Sequence, residues 1–134
     1  SQADKFPFLL EQLPGGVLLY QGQFDWKDGP FSNEKWIERI DWPDRGGYLA
    51  APRLQWLIAS ATNTAEAEVG RSSAAASEAV SASPAGWVQH YGALTEVVVN
   101  GAGHLCPMDQ PERLLHMIST YVEGRAFLTP QNAK

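Results

Sequence analysis

The sequence predicts an α/β fold in which buried strands alternate with helices. Two apolar runs, Val17–Tyr20 and Val97–Val99, lie close to glycines and lack alternating polar positions, which is typical of strands buried in a mostly parallel sheet. Each run is followed by a loop that contains glycine and then by a helix-start signal. This order predicts helices packed against the faces of a sheet.

Length and composition restrict the class of protein. The 134 residues suffice for one domain that buries about two-thirds of its unfolded surface. The net charge of -5 gives a nucleic acid no electrostatic attraction, and no apolar run is long enough to cross a bilayer. The single cysteine cannot form an internal disulfide, and the usual zinc-ligand spacings are missing. We therefore expect no nucleic-acid partner, no membrane partner, no metal and no other cofactor.

The first half of the chain predicts helix, strand, helix, turn and strand in this order. Apolar residues at helical spacing indicate the helices, and residues 32–34 carry the N-cap signal of the second one. The expected bounds are Phe6–Leu13 for the first helix, Val17–Tyr20 for the strand, Ser32–Ile40 for the second helix, Trp42–Gly47 for the turn and Leu54–Ile58 for the second strand.

The composition changes between about Ala59 and Pro84. Ala, Ser, Thr and Glu dominate this stretch and aromatic residues vanish, so we interpret it as an insertion that forms a surface loop or a weakly held helix. Gly70–Ala74 superficially resembles a nucleophile elbow around Ser72. No apolar strand precedes it and no glycine follows, so Ser72 is not expected to be a nucleophile.

The second half predicts two strands and a helix. Residues Gly86–Gly92 alternate as a strand does, and Leu94–Val99 follows after a short break, which indicates a hairpin-like pair. Pro111 and Glu112 suit the first turn of a helix that ends near Gly124. Its expected apolar face consists of Leu114, Leu115, Ile118 and Val122.

Two loops carry the residues that could take part in catalysis. Asp25 follows the first predicted strand and His104 follows the last one. The carboxyl ends of strands in an open α/β sheet face one crevice, so the two side chains could meet there. The order Asp then His is that of an α/β-hydrolase triad, in which the serine comes earlier. From the residues alone, a buried hydrogen-bonded histidine and a turn carboxylate remain open alternatives.

Several motifs resemble those of the serine carboxypeptidases. Tyr20–Trp26, Asn33–Trp36 and Ile40–Trp42 resemble the family's aspartate segment, which typically reads Tyr-x-Gly-x-x-Asp, then Gly-Asn-x-x-Trp and Leu-x-Trp. Gly86–Gln89, Leu94-Thr95, Gly101–His104 and Pro107–Pro111 resemble its histidine segment in the same order. The resemblance implies the C-terminal part of an α/β-hydrolase fold, with Asp25 and His104 as the triad aspartate and histidine.

The resemblance also implies what lies outside this chain. In the family, the nucleophilic serine, the oxyanion-hole glycines and the groups that hold the peptide's C-terminal carboxylate come earlier. The expected partners are therefore an upstream portion or second chain of the same precursor, which carries the serine, and a peptide substrate. This chain alone is expected to be inactive. The alternatives are a catalytically silent structural subunit and an acyltransferase or lyase relative on the same fold.

The chain departs from the family pattern around the expected pocket. Trp26, Leu105 and Cys106 are the candidate pocket residues, although Cys106 is also interpreted as a small buried residue. Asp28 is either a second acidic group of the site or a solvated turn carboxylate. His90 and His116 are expected to be packing or surface residues. The resemblance implies a lysosomal, vacuolar or secreted location, which this chain by itself does not decide.

Overall fold

The computed structural model describes residues 2–59 and 82–133 of the chain. A 3-10 helix, Gln2–Lys5, leads into α1, Phe6–Gln12. The following elements are β1 (Val17–Gly22), α2 (Pro30–Ile37), α3 (Arg45–Ala50), β2 (Leu54–Ala59), β3 (Ala82–Tyr91), β4 (Leu94–Val99), α4 (Cys106–Asp109) and α5 (Pro111–Val122). Within this part of the chain, no helix is long and apolar enough to span a bilayer.

The four strands form one mixed sheet in the order β1-β4-β3-β2. β1 pairs with β4 in parallel, whereas β3 is antiparallel to both β4 and β2. Among the described strands, one pair is parallel and two are antiparallel, so the prediction of mostly parallel strands is wrong for this part of the sheet. Only residues 92 and 93 separate β3 from β4, and so short a connection forces a hairpin. The hairpin-like pair itself is confirmed.

Helices cover both faces of the sheet. On one face, α4 and α5 bury Cys106, Leu114 and Met117 against Val97 and Val99 of β4. On the other face, α1, α2 and α3 pack over the start of β4. That second cluster consists of Phe6, Leu10, Ile37, Ile40, Trp42, Tyr48 and Leu94. Every residue of β4 is buried, as expected of a strand covered on both faces.

Residues 45–50 correct the predicted turn at Trp42–Gly47, because they form α3. Tertiary contacts of this segment outweigh the low helix propensity of two adjacent glycines. The Arg45 guanidinium donates to the Glu38 carbonyl, and Tyr48 is buried. The ring of the exposed Tyr91 lies 2.2 Å from the place that a Cβ at Gly47 would occupy, so a side chain there would require this ring to move.

The start of α2 also differs from the prediction. The helix begins at Pro30 with Gly29 at the N-cap, so residues 32–34 lie inside it. The Asn33 side chain does not cap the helix but donates to Glu96 at 2.8 Å. The predicted strand at Leu54–Ile58 is confirmed as β2.

The predicted insertion ends earlier than expected. Residues 82–84 belong to β3, and Pro84 fits there because the ladder shifts register between Trp56 and Leu57 of β2. The central part of the insertion, residues 60–81 including Ser72, lies outside the described residues.

The apolar face predicted for α5 is only partly correct. The buried residues are Leu114, Met117 and Thr120, whereas Leu115 is 70% exposed and Val122 is 76% exposed. Ile118 is also exposed. The helix therefore has a second apolar stripe, Leu115, Ile118 and Val122, that the described part of the chain leaves uncovered.

Candidate active site

Asp25 lies on the loop that follows β1, and this loop stays paired with the loop after β4. The backbone N–H of Gln23 donates to the Val99 carbonyl at 2.9 Å, and that of Phe24 donates to the Ala102 carbonyl at 2.9 Å. A Cβ at Gly22 would lie 2.2 Å from the Gly103 carbonyl oxygen, so only glycine allows the two loops to approach this closely. These contacts hold the two loops in a fixed position relative to each other.

The side chains of Asp25 and His104 meet across these two loops. His104 Nδ1 lies 3.0 Å from Asp25 Oδ2. The other carboxylate oxygen, Oδ1, accepts the backbone N–H groups of Lys27 at 2.9 Å and Asp28 at 3.1 Å. Both oxygens of the carboxylate are therefore hydrogen-bonded, and its orientation toward the imidazole is fixed.

The protonation state of the pair follows from its donors. The Asp28 N–H bond is the largest influence on the Asp25 carboxyl, and together with the bonds from His104 and Lys27 it outweighs the opposing effect of burial and holds the pKa below its ordinary value of 3.8. An ionised carboxylate only accepts hydrogen bonds, so the imidazole nitrogen that faces it carries the proton. Nδ1–H then donates to Asp25, and Nε2 is left with a lone pair that can accept a proton.

Exposure differs sharply between the two partners. The Asp25 side chain is 6% exposed and that of His104 is 51% exposed. Asp28 Oδ2 lies 4.0 Å from His104 Nδ1, and its side chain is 64% exposed. Asp28 is thus a solvated turn carboxylate at the edge of the pair.

The three predicted pocket residues lie in different environments. Trp26 is 99% exposed and Leu105 is 56% exposed. Cys106, in contrast, is buried in the core with Leu114 and Met117, and burial raises the pKa of its thiol. Cys106 is therefore a core residue, as one of its two interpretations held, and does not line an open pocket.

The site of the pair is open on the side of Trp26. A cavity of about 810 Å³ does exist in the described part of the chain, but it lies at the opposite end of the sheet. That cavity is lined by Gly92, Ala93 and Phe127, among others, and by neither Asp25 nor His104.

His90 and His116 lie away from the pair. His90 Nδ1 contacts the Thr95 hydroxyl at 2.9 Å, and the His116 ring packs near Trp56. Among the described residues, no cluster of three or more His, Cys, Asp or Glu side chains could hold a metal ion.

Sequence reasoning missed the residues that hold the histidine loop. Asp109 accepts the Gly103 N–H, Gln110 donates to the Gly101 carbonyl, and Arg113 donates to the Asn100 carbonyl. Gln23 accepts the Gly101 N–H. A signal for them existed, because a glycine-rich loop has backbone groups that neither helix nor strand can pair, and polar side chains follow it closely.

Comparison with known proteins gives relatives of one kind. A sequence profile described as serine carboxypeptidase matches residues 2–124. The probable serine carboxypeptidase CPVL of Dictyostelium discoideum is 32% identical over 122 residues, which cover 91% of this chain and 20% of the relative. Carboxypeptidase Y homolog A of Aspergillus niger is 30% identical over 121 residues, or 90% of this chain and 18% of the relative.

A solved structure supports the fold. Kex1(delta)p, a prohormone-processing carboxypeptidase from Saccharomyces cerevisiae, superposes with a TM-score of 0.66 at 20% identity and covers 98% of this chain and 24% of its own. The chain thus has part of an α/β-hydrolase fold and spans only about a fifth of the curated relatives it matches, 20% and 18%. Since the profile extends over nearly all of the sequence, this chain belongs to the serine carboxypeptidase family.

Proposed function

We propose that this chain supplies the aspartate and histidine of a serine carboxypeptidase triad. The observation that carries the proposal is the 3.0 Å contact between His104 Nδ1 and Asp25 Oδ2. In the proposed reaction, His104 Nε2 takes the proton of a serine hydroxyl while the serine oxygen attacks the carbonyl carbon of a C-terminal peptide bond. The imidazolium then gives its proton to the leaving amine, and water hydrolyses the acyl-enzyme.

The nucleophile is proposed to come from a part of the protein outside this chain. Among residues 2–59 and 82–133, no serine or cysteine hydrogen-bonds to His104. The matched relatives are about five times as long as the matched segment, which covers 20% of the first. On this proposal, the chain alone is inactive, and an upstream portion or second chain of the same precursor completes it.

The edge of β1 is the proposed place where that part joins. Within the described residues, β1 hydrogen-bonds to β4 along one edge and has no strand partner along the other. An unpaired strand edge readily accepts a further strand. Apolar side chains are exposed on the helices of both layers, on α1 at Phe8 and Leu9 and on α5 at Leu115, Ile118 and Val122.

Trp26 and Leu105 are proposed to contact the peptide. Each is the direct neighbour of a triad residue, and both expose large apolar side chains. The resemblance to the family also supports a lysosomal, vacuolar or secreted location for the complete protein.

The test is to express the chain together with the serine-bearing part and to measure the release of a C-terminal amino acid from a peptide. His104→Ala should abolish this activity, because no base would remain for the serine. Asp25→Asn should lower kcat by about 10⁴-fold, since the imidazole would then favour the wrong tautomer. His90→Ala and Asp41→Asn are matched controls, because the first histidine contacts Thr95 and the second carboxylate is exposed.

Three results would contradict the proposal. Equal rates for the His104→Ala and His90→Ala proteins would remove His104 from the chemistry. Failure of a serine-directed fluorophosphonate probe to label the completed protein would favour the silent structural subunit instead. Transfer of the acyl group to an added alcohol, without release by water, would indicate an acyltransferase.

A further inference from the structure

The loop between β4 and His104 has no regular structure, yet its backbone is hydrogen-bonded almost completely. The Asn100 N–H donates to the Ala85 carbonyl, and the Asn100 carbonyl accepts from Arg113. The Gly101 N–H donates to Gln23 Oε1 at 3.1 Å, and the Gly101 carbonyl accepts from Gln110 Nε2 at 3.1 Å. Such a loop has one conformation because each polar group has a fixed partner.

Gly103, the last residue before His104, has both of its backbone polar groups hydrogen-bonded. The Gly103 N–H donates to Asp109 Oδ2 at 2.7 Å, and the Gly103 carbonyl accepts the Cys106 thiol at 3.3 Å. A bond from a backbone N–H to a carboxylate is charge-assisted and stronger than one between neutral groups. Asp109 is therefore the strongest single restraint on the residue that precedes the imidazole.

The restraint reaches the imidazole through the chain itself. Gly103 has no side chain to fix its own backbone, so its orientation depends on the groups that bind its N–H and carbonyl. A rotation about the backbone bonds of Gly103 would change the direction of the Cα–Cβ bond of His104 and move its Nδ1 away from Asp25 Oδ2. Displacements of about 1 Å at a catalytic group can cost about 10²-fold in rate.

We propose that Asp109 is a positioning residue that holds His104 in contact with Asp25. This inference rests on the proposed function for its kinetic consequence, but the geometric part concerns this chain alone. Asp109 touches neither the imidazole nor a substrate in the proposal. It acts through the Gly103 N–H.

The geometric part can be tested by nitrogen NMR of the His104 ring. At a pH where the ring is neutral, the wild-type chain should show the Nδ1–H tautomer that donates to Asp25. Asp109→Ala should shift the ring toward the Nε2–H tautomer of an unconstrained histidine. Asp109→Asn should retain the wild-type tautomer, because its amide oxygen can still accept the Gly103 N–H. Glu112→Ala, a nearby exposed acidic residue, is the control.

The kinetic part uses the completed enzyme. Asp109→Ala should lower kcat by about 10²-fold with little change in KM, and Asp109→Asn should restore most of that loss. A wild-type tautomer in a folded Asp109→Ala chain would overturn the proposal. If that variant does not fold, Asp109→Ser takes its place, since a hydroxyl on so short a side chain does not reach the Gly103 N–H; if neither folds, Asp109 stabilises the fold and the proposal is refuted.

This design keeps the two proposals apart. If His104→Ala leaves the activity of the completed enzyme unchanged, the triad fails, but the tautomer measurement still decides whether Asp109 positions the ring. If His104→Ala abolishes activity and Asp109→Ala changes neither the tautomer nor kcat, the triad proposal is supported and the positioning role of Asp109 is refuted.

Discussion

Two carboxylates of this chain have equally complete hydrogen bonding and very different surroundings. Asp25 accepts from the backbone of Lys27 and Asp28 and contacts the His104 imidazole. Glu96 accepts from three side chains, Asn33 at 2.8 Å, Tyr48 at 2.9 Å and Arg53 at 3.2 Å. The first lies at a loop tip, and the second lies in the middle of β4.

The two carboxylates differ in the exposure of the groups that bind them. His104, which contacts Asp25, is half exposed and has a second ring nitrogen, whereas Tyr48, which donates to Glu96, is 2% exposed. The partners of Glu96 come from α2, α3 and the segment before β2, so this carboxylate ties three elements to the sheet. Full hydrogen bonding is common to both sites, and only access to the partner separates them.

The partners of Glu96 are also held in their donor states. Burial, and then the charge of Glu96, raise the pKa of the Tyr48 hydroxyl well above its ordinary value, so Tyr48 remains a donor. Burial alone would lower the pKa of Arg53, but its bonds to Glu34 and Glu96 raise it. Tyr48 and Arg53 therefore remain protonated donors at ordinary pH.

Replacement of Glu96 should have the largest effect on stability. Glu96→Ala leaves the Tyr48 hydroxyl and the Asn33 amide without their acceptor and removes one partner of Arg53, so we expect a loss of about 3 kcal/mol in the free energy of unfolding. Urea unfolding of the chain measures this loss. Asp25→Asn should show the opposite pattern, with little loss of stability and a large loss of kcat.

Glu11→Ala, at an exposed position of α1, is the control for Glu96→Ala. A Glu96→Ala protein as stable as this control would mean that the network does not tie the helices to the sheet. Glu96 would then contribute no more to stability than an exposed carboxylate does.

A smaller effect is expected when one donor to Glu96 is removed. Tyr48→Phe keeps the buried ring and deletes only the hydroxyl, and hydrogen bonds to charged groups typically contribute about 1.5–3 kcal/mol. We expect a loss near the lower limit, about 1.5 kcal/mol, because Asn33 and Arg53 still bind the carboxylate. Tyr91→Phe, at an exposed ring, is the matched control for urea unfolding. Equal stabilities of the two variants would contradict the expectation.

The sequence allowed the contact between Asp25 and His104 to be predicted better than the buried network. Asp25 and His104 follow apolar strands, and the rule that strand ends meet at one edge of a sheet applies without knowledge of side-chain packing. Glu96 offered no such signal, since a charged residue within a strand is ordinarily expected to face solvent. Its burial depends on Asn33, Tyr48 and Arg53, which are brought to it only by the packing of α2 and α3.

The errors in the predicted elements have the same origin. The double glycine at residues 46–47 indicated a turn, whereas the structure has a helix there, with Tyr48 packed in the core and Arg45 bonded to the Glu38 carbonyl. The apolar pattern of α5 combined two stripes, of which the sheet of this chain covers only one. Local patterns sufficed for β1, β2 and β4, whereas contacts between distant segments decided α3, the buried face of α5 and the role of Asp109.

The smallest predicted effect is a pH dependence that depends on the backbone donors to Asp25. Because the folded-state pKa of Asp25 is lowered, its ionised form stabilises the fold above the ordinary value of 3.8, and this contribution is lost as the pH falls through the lower folded-state pKa. The stability difference between the wild type and Asp25→Asn should therefore be present at pH 5 and shrink below about pH 3.8.

Repeating the comparison in a His104→Ala background removes the imidazole and leaves the Asp28 and Lys27 N–H groups, so a reduced difference of the same sign should persist. A difference that grows as the pH falls would mean that these backbone bonds do not favour the ionised carboxylate, and loss of the difference in the His104→Ala background would mean that His104 alone stabilises it.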